Sequence, residues 1–159
     1  MSGGDLQLTT TAVAGTESVA ARLAARLRPG DLIALDGPLG AGKTVFVRGL
    51  ATGRGVDASV VKSPTFVLHH VYGSPPRLHH LDLYRLGPGA RIAMLDLDGL
   101  LESAPAAVEW AGYADLEPWR PLRLLIDIAG EQARRIQVPE PERAPARLVA
   151  AWRAAVAGR

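Results

Sequence analysis

The stretch GPLGAGKT, residues 37–44, follows the apolar run LIALD at 32–36 and precedes VFVRGLATG at 45–53. It fits G-x-x-x-x-G-K-[ST], with Gly37, Gly42, Lys43 and Thr44 in the fixed places. Each residue type has a physical reason to be there. Glycines let backbone N–H groups turn inward around an anion with no Cβ in the way. A lysine reaches the β- and γ-phosphates, and a threonine offers its hydroxyl to Mg²⁺. The alternative is a glycine-rich turn that happens to contain a lysine. A short buried strand before the loop and a helix after it weigh against that alternative, because a helix N-terminus aims its positive dipole at an anion. The expectation is a phosphate cradle.

Composition narrows the rest. With 48% hydrophobic and 21% charged residues, the chain has the balance of an ordinary globular protein, and 159 residues suit one domain. No cysteine is present, which excludes a disulfide partner and thiolate chemistry. The N-terminus MSGGDLQLTT has no apolar signal core, and no run approaches the ~18 apolar residues of a membrane span. A cytoplasmic protein without membrane contact is expected. A formal charge of +2 does not by itself announce nucleic-acid binding. Nearly all cations are arginine; the two lysines are Lys43 and Lys62, and the first lies inside the opening motif.

Along the chain, Val19, Leu23 and Leu27 recur at helical spacing in TESVAARLAARL, with Thr16 as the expected N-cap. The runs FVLHHVY and RLHHLDLY, separated by GSPP, read as a β-hairpin. LDGLLES reads as a short helix, AAVEW as a strand end, and PLRLLIDIAG and RRIQVP as two further strands. The segment 54–65 is too punctuated for a regular element, and the alanine-rich tail reads as a C-terminal helix within 139–159. Interleaved helices and strands predict an α/β fold: one P-loop NTPase domain over 1–159, with a central mixed sheet, an antiparallel hairpin and flanking helices.

A P-loop enzyme needs an acid near the metal, and the pattern offers Asp127 after LRLLI, Asp82 in HHLDLY and Glu109 ending AAVE. The segment KSPT carries Ser63, Pro64 and Thr65; the proline drives Ser63 toward an extended conformation. Its hydroxyls could read a γ-phosphate as switch loops do, or simply cap a turn. His69-His70 and His79-His80 lie on the hairpin strands, where neighbours point to opposite faces. Neither pair converges as a metal site, and polar packing across the ladder is the expectation. The basic residues are scattered, and Arg134-Arg135 is too short a run to argue for direct contact with tRNA.

The ordered motifs GPLGAGKT, KSPTF, HLDLYRL and VEW resemble the bacterial TsaE family, small P-loop ATPases that support threonylcarbamoyladenosine modification of tRNA. The resemblance spans about residues 10–138. It implies ATP on the loop residues Gly37, Pro38, Leu39, Gly40, Ala41, Gly42, Lys43, Thr44 and Val45, with Thr10 and Thr16 near the adenine. It implies Mg²⁺ held by Thr44 and Glu109, with Asp82 completing the metal shell or acting through water. Lys43, Asp82 and Glu109 are then the catalytic residues, and Ser63, Pro64 and Thr65 form a switch-like loop. Asp127 becomes a strand residue near the nucleotide's edge. The implied partner is the TsaB–TsaD-type transferase heterodimer, through which tRNA is reached indirectly. The implied reaction is ATP to ADP and phosphate, weak without that partner. Arg85, beside Asp82, is the best internal candidate for an added cation, though an exposed salt-bridging arginine is the stronger expectation for it. Pro38 and Val45 depart from the family's aspartate and threonine, and Pro38 lacks an N–H. A small-metabolite kinase and a nucleotide-sensing scaffold with negligible hydrolysis are the alternatives. The base-reading motif of GTPases is absent.

Overall fold

The computed structural model describes residues 6–62 and 68–159. The chain runs β1 (Gln7–Thr10), α1 (Val13–Ala24), β2 (Leu32–Asp36), α2 (Lys43–Gly53), β3 (His69–Tyr72), β4 (Leu78–Asp82), α3 (Leu97–Ser103), β5 (Ala106–Glu109), β6 (Leu122–Ile128), β7 (Arg134–Gln137) and α4 (Ala146–Val156). The strands form one sheet in the order β1-β7-β6-β2-β5-β4-β3. The centre is parallel, with β2 between β5 and β6 and β4 beside β5; β3, β7 and β1 add antiparallel edges. Buried β2 is apolar in an unbroken run up to Asp36, as a strand covered on both faces must be.

Two apolar clusters lie on the two faces. Ile33, Leu35, Leu78, Ala107, Leu124 and Ile126 pack with α1, α2 and α4, around Phe46 and Trp152. Leu32, Ala34, Leu81, Ala106 and Val108 pack with Leu97 and Leu101 of α3. On the first face α1 and α2 meet backbone to backbone. A Cβ on Gly49 would collide with the carbonyl oxygen of Glu17, and one on Gly53 with that of Ala21. Asp31, at the foot of β2, pairs with Arg147 of α4 and so ties the C-terminal helix to the sheet.

Several sequence expectations need correction. Helix α1 begins at Val13 behind an extended Ala12, three residues before the expected cap. Thr16 is therefore inside the helix and buried; its hydroxyl bonds Thr10 Oγ1 at 2.7 Å rather than a backbone N–H of the first turn. The start of the chain, to which the pattern assigns no element, supplies β1, because Gln7–Thr10 pairs with β7 through its backbone. The hairpin of β3 and β4 forms as expected, with a cis Ser74–Pro75 bond in its connection. In the punctuated segment a 3₁₀ turn forms at Ala58–Val60.

Candidate functional site

The site lies where β2, β4 and β5 end beneath the start of α2. Gly37 leaves β2 with φ 150°, and a Cβ there would collide with the carbonyl oxygen of Ile126 on β6. Gly42 caps α2 in the left-handed region, at φ 100°. Between them, Ala41 N–H closes a turn on the Pro38 carbonyl at 3.1 Å. The loop crest is exposed, with Leu39 76% accessible, while Ala41 is buried.

Lys43 opens α2 and folds back over the loop, donating from Nζ to the carbonyls of Gly37 (2.6 Å) and Pro38 (3.0 Å). Its ammonium also sits 4.1 Å from the ring centre of Trp110. Burial holds its pKa below the ordinary lysine value, opposed by the charges of Glu109, Asp36 and Asp82. Pro38 lacks an N–H, but its carbonyl helps hold the lysine.

Thr44 turns its hydroxyl to Glu109, with Oγ1 2.9 and 3.1 Å from the two carboxylate oxygens. Glu109 is 2% exposed, and a second donor secures it: His80 Nε2 lies 2.6 Å from Oε2. The other ring nitrogen of His80 meets Tyr72 OH at 2.8 Å. Burial, then the charge of Glu109, pushes the Tyr72 pKa up to about 12. The phenol therefore keeps its proton, and the His80 ring links it to the Glu109 carboxylate through both of its nitrogens. A continuous hydrogen-bonded chain, Tyr72–His80–Glu109–Thr44, thus reaches from Tyr72, buried on the hairpin, to the half-buried Thr44 in the first turn of α2.

Asp82 stands in register beside Glu109 across the parallel β4–β5 ladder. Among the described residues its carboxylate accepts one hydrogen bond, from Tyr84 N–H at 2.9 Å. Burial raises its pKa, and Glu109 adds to this; Tyr84 N–H, His80 and Lys43 oppose it.

Lys43, Thr44, Asp82 and Glu109 thus open together into a cleft of about 630 Å³, rimmed by Gly40, Val45, Tyr84, Arg85 and Trp110. Arg85 is exposed at that rim. Thr16 lies apart from these residues, on a smaller cleft of about 270 Å³ beyond the loop, with Gly40, Gly42, Val45 and Arg134. Thr10 stands behind Thr16, buried. Asp127 is not among the residues of either cleft; it pairs in register with Arg135 on the β6–β7 ladder. Ser63, Pro64 and Thr65 lie outside the described residues.

The oxygen donors suit one kind of ion. A hydroxyl and two carboxylates are hard ligands, and a site with so few protein donors fits Mg²⁺, which keeps waters and takes substrate phosphates. Among the described residues no group of three or more His, Asp and Glu is placed to hold a metal by itself.

Two participants were not legible from pattern. Asp36, at the end of β2, accepts Gly112 N–H at 2.7 Å and has Arg123 at 3.6 Å, anchoring the turn after Trp110. Trp110 itself sits at φ 55°, its ring stacked on Tyr113 (5.4 Å), tilted against Tyr84 (4.9 Å) and faced by the Lys43 ammonium. The other is His80. Alternation counted back from Asp82 puts His80 on the same face of β4 as that acid, which was the available signal.

Comparison with known proteins places the family and the architecture. The profile of the family described as "Threonylcarbamoyl adenosine biosynthesis protein TsaE" matches residues 10–137. A TsaE protein of Streptomyces coelicolor is 45% identical over 122 residues, covering 73% of this chain and 82% of that protein. One of Bacillus subtilis is 37% identical over 124 residues, covering 76% and 77%. The crystal structure of Bacillus subtilis YdiB superposes with a TM-score of 0.62 at 31% identity, covering 85% of this chain and 86% of that one. The α/β architecture is thus that of a P-loop-type fold.

Proposed function

Because this chain belongs to the TsaE family, and hence to tRNA threonylcarbamoyladenosine biosynthesis, we propose that it binds ATP with Mg²⁺ and hydrolyses it to ADP and phosphate. The observation that carries the reading is the Thr44–Glu109 pair set directly beneath Lys43 at the start of α2. A buried carboxylate bonded to the threonine of a G-K-T loop is a pair that would hold a divalent ion.

Thr44, Glu109 and Asp82 would hold Mg²⁺, which neutralises charge on the phosphate oxygens when bound. The amides of the loop and the N-terminus of α2 receive the phosphates. Lys43 has its ammonium prepositioned on the Gly37 and Pro38 carbonyls, beside where those oxygens come to lie. Its cation stabilises charge developing on the leaving ADP, a positioning and electrostatic contribution rather than a covalent one. Asp82 is the better candidate to orient the attacking water. Glu109 is committed to Thr44 and His80, whereas Asp82 holds a single backbone N–H among the described residues. Burial, which raises its pKa, also strengthens it as a proton acceptor.

The group transfer itself belongs to the partner transferase heterodimer of the TsaB–TsaD type. The ATP cycle of this chain acts on that complex, and tRNA is met through it. The test is phosphate release from ATP, by the chain alone and with the heterodimer and tRNA. Strong stimulation is expected, lost in Lys43→Ala. Normal turnover in that variant, or label appearing on a small acceptor instead of as free phosphate, would sink the proposal.

A further inference from the structure

We propose that Arg134 is a positioning residue of the phosphate cradle, holding the loop open from outside; this rests on the nucleotide reading above. Arg134 begins β7, where it pairs in register with Thr10 on one side and Ile128 on the other. Its guanidinium leaves the strand and reaches the loop. Nε lies 2.9 Å from the Ala41 carbonyl and Nη2 3.3 Å from that of Gly40. Nη1 holds the β6–β7 turn through the carbonyls of Ala133 (2.9 Å) and Gly130 (3.1 Å), with Glu131 at 3.4 Å. Among the described residues no carboxylate pairs with it.

Peptide planarity makes this grip consequential. In a trans peptide the carbonyl and the next N–H point in opposite directions. Holding the Ala41 carbonyl outward therefore aims Gly42 N–H inward. Holding that of Gly40 fixes Ala41 N–H, which closes the turn on Pro38. A cradle pinned before the anion arrives loses less freedom on binding. The guanidinium is also permanently charged, and its planar fork serves several acceptors at once, which an ammonium cannot imitate.

The experiment is binding of ATP and of inorganic tripolyphosphate, a probe with no base, to wild type, R134M, R134K and R135M. Steady-state kinetics and nucleotide-free melting accompany it. R134M is expected to weaken both ligands about tenfold, the size of one charge-assisted hydrogen bond. KM should rise while kcat at saturation stays unchanged, as for binding lost equally from ground and transition states. R134K restores part of the affinity, and R135M, which removes an equal charge from the next residue, none of the loss appearing in it. Should R134M not fold, a several-fold loss in R134K carries the test. Unchanged affinity in both Arg134 variants, an equal loss in R135M, or a fall in kcat at unchanged KM overturns the inference alone. A wild-type chain that binds neither probe overturns the nucleotide reading and this inference with it.

Discussion

His79 and His80 are neighbours on β4, both buried, and they do opposite work. His79 turns to the α3 face, where Nε2 meets Ser103 Oγ at 2.8 Å and Nδ1 meets His69 Nε2 at 2.9 Å. Ser103 donates onward to the Leu100 carbonyl, so the donors run His69 to His79 to Ser103 and stop at the backbone. Burial lowers the pKa of both histidines, keeping that chain neutral. His80 turns to the α2 face, and its chain ends on Glu109 and Thr44 instead. The two networks share a residue type, a strand and a geometry. What separates them is the last acceptor: a carbonyl closes a network, and a carboxylate at the mouth of a cleft passes its alignment on.

The sharpest way to break this contrast is to remove the ends of the two chains. Glu109→Ala should lower ATP hydrolysis by roughly a hundredfold or more, while Ser103→Ala changes it less than about twofold. A comparable fall in Ser103→Ala would erase the distinction. Next come the histidines. His80→Leu should cost about tenfold in kcat, and His79→Leu nothing measurable in turnover, though each leaves buried partners unsatisfied at about 1–3 kcal/mol. Melting curves beside single-turnover rates separate the two effects. Tyr72→Phe removes only the outer donor, so a loss of about 1 kcal/mol in stability and a two- to threefold fall in rate are expected.

The smallest effect concerns Asp82. Its raised pKa means that the folded chain binds this proton more tightly than the unfolded chain. The stability it contributes is full below the ordinary carboxylate range and is lost as pH rises through the raised value. Asp82→Asn keeps an acceptor for Tyr84 N–H and removes that loss. The variant should melt slightly higher than wild type at pH 7 without Mg²⁺, and the two curves should converge below about pH 4. A lower melting point at pH 7 would contradict it.

The loop from Gly37 to Thr44 was legible because its chemistry is local: spacing along eight residues is enough to specify it. The choice among Asp82, Glu109 and Asp127 was not, since pattern treats all three as acids on strands. Strand order separates them: Glu109 on β5 and Asp82 on β4 pair on one flank of β2, while Asp127, on β6 at the other flank, pairs with Arg135. Arg134 escaped for a similar reason. Its contacts with Gly40 and Ala41 span more than ninety residues of chain (93 and 94) and end on carbonyls, which every residue has. Thr16 was misread as a cap because a threonine before an apolar helix signals one; its tie to Thr10 depends on β1, which backbone pairing creates.

Gly49 and Gly53 have a mechanical consequence. With no side chain as padding between them, α1 and α2 have no slack at their crossing. The pair behaves as a single stiff lever, with Lys43 at the head of one arm and Thr16 in the first turns of the other. An alanine at either glycine would act as a shim, prying the arms apart.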